Sequence, residues 1–243
     1  MSVAVTFLGT GDAFASGGRS HACILVTAGD GRILLDCGGS ALPAIVRACD
    51  PGTIDAVAVT HLHGDHFGGL PYLVLHQAYA PRRRPLDVAG PPSLEMRYEE
   101  ALRGLYADFA AKELTFDLRW SVLGPRPIRL GPADVSAHPV EHVPVTEPHG
   151  LRVQVGSTLI AYSGDARWSA ALPLLAAGAD LFICETTTYE VPNPVHLSAV
   201  DLVAHRDELR CDRVIATHLG SDTLTHLGSL GVEHAEEGMT IEL

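Results

Sequence analysis

The sequence predicts an α/β protein built from two halves that face one another. Two observations carry this. Apolar strand signals alternate with helical ones along the chain. The stretches "DAVAVTHL" (55–62) and "DRVIATHL" (212–219) also share the frame D-x-V-x-x-T-H-L, so each half has a buried strand delivering a Thr-His pair at its C-terminal end. A second, weaker echo joins "GRILLDCGGSALPAIV" (31–46) to "STLIAYSGDARWSAALPLLA" (157–176), each running strand, aspartate, then a helix containing "ALP". Facing halves would bring both sets of strand ends to one cleft, where ligands bind in α/β folds.

In chain order, strands are expected at 3–8, 22–28, 32–36, 55–60, 86–89, 151–155, 158–163, 180–184 and 213–217. Helices are expected at 40–48, 66–79, 93–111, 169–177 and 198–208. "MSVAVTFLGTG" enters an alternating apolar pattern at once and reads as a strand, not a signal peptide. In the span 93–111, Leu94, Tyr98, Leu102, Leu105 and Phe109 recur at three- and four-residue steps, an amphipathic helix facing a core. "PRRRP" (81–85) reads as a solvated loop, and less well as a phosphate clamp.

At 243 residues and 47% hydrophobic content, one domain spanning 1–243 is the expectation. No apolar stretch approaches the ~20 residues of a membrane helix, so no membrane partner is expected. The formal charge of -12 argues against a broad nucleic-acid footprint. Part of that acidity could be carboxylates that bound cations offset. Five cysteines, at 23, 37, 49, 184 and 211, have no C-x-x-C spacing, and the reading is a reduced, cytoplasmic protein with buried thiols.

The chemistry is concentrated in "VTHLHGDHFGG" (59–69). His61 and His63 project to one side of an extended turn. Gly64 permits a tight bend, and Asp65 and His66 open the next helix. A core holding three imidazoles and a carboxylate within six residues would cost ~1–3 kcal/mol for each unsatisfied group. Metal binding fits the cluster better, and N and O donors without cysteine suit zinc first, with manganese or iron(II) as alternatives.

H-x-H-x-D-H after an apolar strand, with His, Asp and His downstream, resembles the metallo-β-lactamase superfamily. "FLGTGDAF", "ILLDCG", "YSGD", "FICET" and "ATHL" are most similar to the ribonuclease Z group and its phosphodiesterase relatives. The resemblance covers essentially the whole chain. It implies a four-layer αβ/βα sandwich, two facing β-sheets with helices outside, and two divalent metal ions. His61, His63 and His142 would hold one ion, Asp65, His66 and His218 the second, and Asp165 would bridge them. His142 has a rival in His138 of "SAHPVEHVP", and is preferred because it follows a strand-like run and precedes an irregular loop, as the family's third ligand does.

Two ions of this kind activate water toward an ester-like bond, and Asp65 could orient or deprotonate that water. The resemblance also implies that Glu185 and His196 pair, the carboxylate orienting an imidazole that faces the phosphate or leaving group. Otherwise, His196 would only open the following helix and Glu185 would be a loop carboxylate. His21, His76, His149, His205, His226 and His234 have no implicating spacing.

The chain departs from ribonuclease Z in two places. Gly39 follows "DCG" where that enzyme has an acidic residue, and the interval from Glu113 to His138 leaves no room for a projecting arm that grips transfer RNA. tRNA is therefore a doubtful substrate, and an RNA 3′ end a poorer expectation than a small, cyclic or nucleotide-like phosphodiester. A thioester or lactam hydrolase of the glyoxalase II kind is the alternative reading, and a non-catalytic metal-binding module a further one. A homodimer is compatible with the sequence, which does not demand it.

Overall fold

A computed structural model describes residues 2–191 and 193–243. The chain opens with β1 (Val3–Gly9), β2 (Cys23–Ala28) and β3 (Gly31–Leu35), followed by α1 (Ala41–Ala48) and β4 (Ala56–Ala58). Then come α2 (Gly64–Phe67), α3 (Leu70–Tyr79), β5 (Leu86–Gly90), α4 (Leu94–Leu105) and β6 (Leu118–Val122). The second half runs β7 (Ile128–Leu130), β8 (Ala133–Pro139), β9 (His149–Val155), β10 (Thr158–Tyr162), α5 (Ala171–Ala176) and β11 (Leu181–Glu185). It ends with α6 (Ala199–Ala204), β12 (Arg213–Thr217), α7 (Ser221–Leu224), β13 (Glu233–His234) and β14 (Thr240–Glu242).

Among the described residues these strands form two seven-stranded sheets, ordered β14-β1-β2-β3-β4-β5-β6 and β13-β12-β11-β10-β9-β8-β7. The inner faces meet over Val5, Phe7, Ile24, Ile33, Val135, Val153, Ile160 and Ile183, each 1% exposed or less. Burying one such aliphatic side chain contributes roughly 1.5–3 kcal/mol. A one-residue slip of any strand would send that set to the other face, so the core fixes the register. Ile45 of α1, Leu70 and Leu73 of α3, and Tyr98 of α4 cover the outer face of the first sheet. Leu172 and Leu175 of α5 and Leu202 of α6 cover the second. The expected four-layer sandwich is the architecture found.

Several elements differ from expectation. The helix expected over 66–79 is two, because the chain breaks at Gly68-Gly69. There the Gly69 N–H donates to the Cys37 carbonyl (2.8 Å), and a Cβ at Gly69 would collide with the Gly38 carbonyl. The helix expected to reach 111 stops at Leu105, where Tyr106 leaves the helical region; Phe109 still packs in the core, from the following turn. The span 198–208 is α6 followed by a short 3₁₀ turn, Arg206–Glu208. β6, β7, β8, β13 and β14 were not expected. β6 and β7 are edge strands with much exposed surface, and β14 is three residues held by pairing with β1. The stretch from Glu113 to His138 is consumed in completing both sheets.

The "PRRRP" run is corrected at Arg82 alone, since Arg83 and Arg84 are exposed as a solvated loop requires. Arg82 is buried, 4% exposed, and its guanidinium donates to the carbonyls of Ile54 (2.9 Å), Gly52 (3.3 Å) and Pro85. It ties the loop to the turn before β4, and has no spare donors for a phosphate.

Candidate metal centre and acid pair

The two echoed strands do what the repeat suggests. β4 and β12 are buried strands with a neighbour on each side, and His61 and His218 follow their C-terminal ends at the seam between the sheets. His63 precedes the single turn of α2, which presents Asp65 and His66. His142 stands in the loop after β8, and Asp165 in the loop after β10.

Two clusters result, with every donor atom within 4.8 Å of the others in its group. In the first, His61 Nε2 and His142 Nε2 lie 3.1 and 3.2 Å from His63 Nδ1, and 3.7 and 3.8 Å from Asp165 Oδ2. In the second, His218 Nε2 and His66 Nε2 lie 3.2 and 3.5 Å from Asp65 Oδ2, and 3.4 and 3.1 Å from Asp165 Oδ1. Asp165 thus turns one oxygen to each cluster.

Four of the five imidazoles are locked at Nδ1, as metal-binding histidines commonly are. His142 donates to the Val195 carbonyl (2.7 Å) and His66 to Asp36 Oδ2 (2.7 Å). His61 donates to Thr60 Oγ1 (3.0 Å), and His218 to Thr187 Oγ1 (2.9 Å). Each therefore offers Nε2 to its cluster. His66 Nε2 and Asp165 Oδ1 are buried without a hydrogen-bond partner among the described residues. Four donors at zinc-like bond lengths of about 2.0–2.2 Å would stand roughly 3.3–3.6 Å apart at tetrahedral corners, close to the separations here. The orphaned atoms and the spacing fit a divalent cation in each cluster.

The electrostatics agree. Burial opposes charge on Asp165 and Asp65, yet neighbouring His218 and His66 hold both carboxyls well below the usual range. Burial, with His66 nearby, pushes His61 well below the ordinary imidazole value, and burial also lowers His142. Both rings are neutral donors at pH 7.

Beside these clusters His196 Nδ1 lies 2.8 Å from Glu185 Oε1 and 3.8 Å from Asp165 Oδ2. Glu185, at the end of β11, is wholly buried and also accepts the Ala166 N–H (2.9 Å) and Thr187 Oγ1–H (2.7 Å). Burial disfavours the imidazolium of His196, but the hydrogen bond and charge of Glu185 outweigh it and raise the ring to about 9. Ser198, not His196, caps α6 by accepting from the Asp201 N–H (3.1 Å).

All nine residues singled out in the sequence thus converge. His138 does not; it lies on β8 and its Nε2 contacts Ser136 Oγ (3.2 Å). Sequence reasoning missed Asp36, Thr60, Tyr162 and Thr187, which hold the rings in place. Asp36 accepts from His66, from the Thr60 N–H (2.8 Å) and from Tyr162 OH (2.9 Å). Its signal was present: an aspartate ending the apolar run "ILL" is buried and needs partners. Nothing in the sequence points to Thr187.

Residues 3–235 match the family described as anti-Pycsar protein Apyc1. The uncharacterized protein ML1173 of Mycobacterium leprae is 33% identical over 195 residues, 77% of this chain and 66% of its own length, just under two thirds. The ribonuclease Z of Mycolicibacterium paratuberculosis is 30% identical over 195 residues, covering 74% of this chain and 69% of that one. In structure, the metallo-β-lactamase fold protein YhfI of Bacillus subtilis superposes with a TM-score of 0.83 at 21% identity, over 100% of this chain and 99% of its own. The chain has the metallo-β-lactamase fold and belongs to the anti-Pycsar protein Apyc1 family.

Proposed function

We propose that the chain is a dinuclear metal-dependent phosphodiesterase acting on a small, cyclic or nucleotide-like phosphodiester. His61, His63 and His142 would hold one ion, Asp65, His66 and His218 the other, and Asp165 both. Zinc is the first candidate. When bound, such ions supply Lewis acidity that activates water and offsets phosphoryl charge.

The chain's own residues supply the rest. Asp65, kept ionised by His66 and His218, is a carboxylate able to orient the attacking water and accept its proton. The observation that carries the phosphodiester reading is the Glu185–His196 pair. An imidazole held charged 3.8 Å from Asp165 is placed to donate a proton to a leaving alkoxide. A thiolate leaving group needs no such donor. The kinship with a ribonuclease Z supports the same bond class, and the absence of room for an arm between Glu113 and His138 supports a small substrate.

Steady-state rates on bis(p-nitrophenyl) phosphate and on an acyl thioester test this reading. The phosphodiester should be preferred; preference for the thioester would overturn it.

A further inference from the structure

A groove of about 590 Å³ lies on the outer face of the first sheet and shares no residue with either donor cluster. It exists because α1 covers that face incompletely. The helix packs on Ala41, Ala44 and Ile45, and where it lines the groove it presents alanines at 44 and 48, too short to reach across the strands. Leu8 of β1 and Leu25 of β2 are left as a floor, the turn at Glu237 and Gly238 forms the far wall, and Arg32 of β3 and Arg47 of α1 line the near side. We propose that this groove is a binding site for a phosphate monoester with a small apolar or ring-shaped body. The proposal stands independently of the phosphodiesterase reading.

Charge is the first argument. In a chain of formal charge -12 an arginine has many carboxylates within reach, and Arg84, Arg167 and Arg213 each pair with one. Arg32 and Arg47 have no ion-pair partner among the described residues, and they line one space. The Arg32 guanidinium reaches only the Asp30 carbonyl, at 3.4 Å. The acids around them are engaged elsewhere: Asp55 accepts the Arg32 backbone N–H (2.8 Å) and pairs with Arg84, and Glu237 accepts the Ser20 N–H. Two like charges sharing a cavity are stabilised by an anion between them.

The donors around the arginines select the kind of anion. Guanidinium forks bind phosphate bidentately, and threonine hydroxyls add donors from other directions. Thr27 Oγ1 makes no hydrogen bond among the described residues, and the Thr6–Thr240 hydroxyl pair (2.9 Å) leaves one hydrogen free. A tetrahedral phosphate with three terminal oxygens can use such a spread, whereas a planar carboxylate cannot. Leu8, Leu25, Ala44 and Ala48 give the organic body an apolar seat, and the volume is within the ~300–1,000 Å³ of small-molecule sites. The walls are fixed in advance. The Gly238 N–H donates to the Phe7 carbonyl (2.8 Å) and the Phe7 N–H to the Met239 carbonyl (2.9 Å), tying the far wall to β1.

Cys49, which follows α1, also lines the groove, is half-buried, and reports on it. The zinc-reconstituted protein is alkylated with iodoacetamide, and the rates at Cys49 and at Cys211, which lies outside the groove, are read by mass spectrometry. Benzyl phosphate should slow Cys49 in proportion to the free fraction, about tenfold at roughly nine times its dissociation constant, and leave Cys211 unchanged. Benzyl alcohol and phenylacetate at the same concentration should protect far less. Arg47→Gln, at an exposed position, should raise the concentration of benzyl phosphate needed by roughly tenfold, the effect of losing a charge-assisted hydrogen bond. An unchanged Cys211 rate checks that the variant is folded. Failure of benzyl phosphate to protect Cys49, equal protection by either comparison compound, or an unchanged concentration in Arg47→Gln overturns the site.

Discussion

His66 donates its Nδ1–H to Asp36 Oδ2 across 2.7 Å, and both residues are wholly buried. Asp36 reaches this position only by adopting φ 59°, the left-handed region that a non-glycine residue enters at a cost. His218, which follows β12 in the other sheet, has φ 55°. Asp36, by accepting the Nδ1–H, fixes Nε2 as the His66 nitrogen that faces the second cluster.

Asp36→Asn preserves the volume but removes the charge behind His66. Metal affinity should fall by about 10–100-fold, the usual cost of losing such a partner. Competition with a chromogenic zinc chelator measures it; an unchanged affinity would show that the carboxylate is not needed to orient the ring.

The donor count gives a stoichiometry. Elemental analysis after reconstitution with Zn²⁺ or Mn²⁺ should find two equivalents per chain, and a strong chelator should abolish activity. One equivalent or none would contradict the two-cluster assignment. Within it, His142→Ala should deplete metal and His138→Ala should not, because His138 points to Ser136.

Much of this centre was legible in the sequence because metal donors are rare, polar and closely spaced. Three histidines and an aspartate within six residues after a buried strand make poor core packing and a good ligand set, and the repeated T-H-L frame placed His218 at the same cleft. The supporting shell was far less legible. Thr187 links Glu185 to His218 only because β11 and β12 lie side by side, a fact of pairing and not of local pattern. The edge strands β6 and β7 were missed for a related reason: an edge strand exposes too much of itself to show a continuous apolar run. Arg82 looked like a solvated charge because the carbonyls it caps come from a turn some 30 residues away.

The thiols give a prediction remote from the metal centre. Burial pushes Cys37 up to about 12, aided by the charge of Asp36, and raises Cys23 and Cys184 well above the ordinary value. Thiolate is the reactive form, so these three should resist a disulfide reagent at pH 8. Cys49 and Cys211 are only half-buried and should react. Thiol titration should count two groups in the native protein and five after denaturation; five at once in the native state would contradict the burial described.

The central claim is that His196, backed by Glu185, supplies the proton to a leaving oxygen. Because His196 is raised to about 9, its charged form prevails below that pH, and the activity that depends on it should be retained there and lost as pH rises through about 9. The most direct measurement compares native enzyme and His196→Ala, both carrying their metals, on phosphodiesters with p-nitrophenolate and with alkoxide leaving groups. The substitution should lower kcat on the alkoxide ester by about 10²–10⁴-fold, the range for general acid catalysis. It should cost much less on p-nitrophenolate, which scarcely needs protonation, and should remove the alkaline limb near pH 9. Equal activity of the two proteins on both esters, with metals intact, would contradict the claim and leave His196 a structural residue.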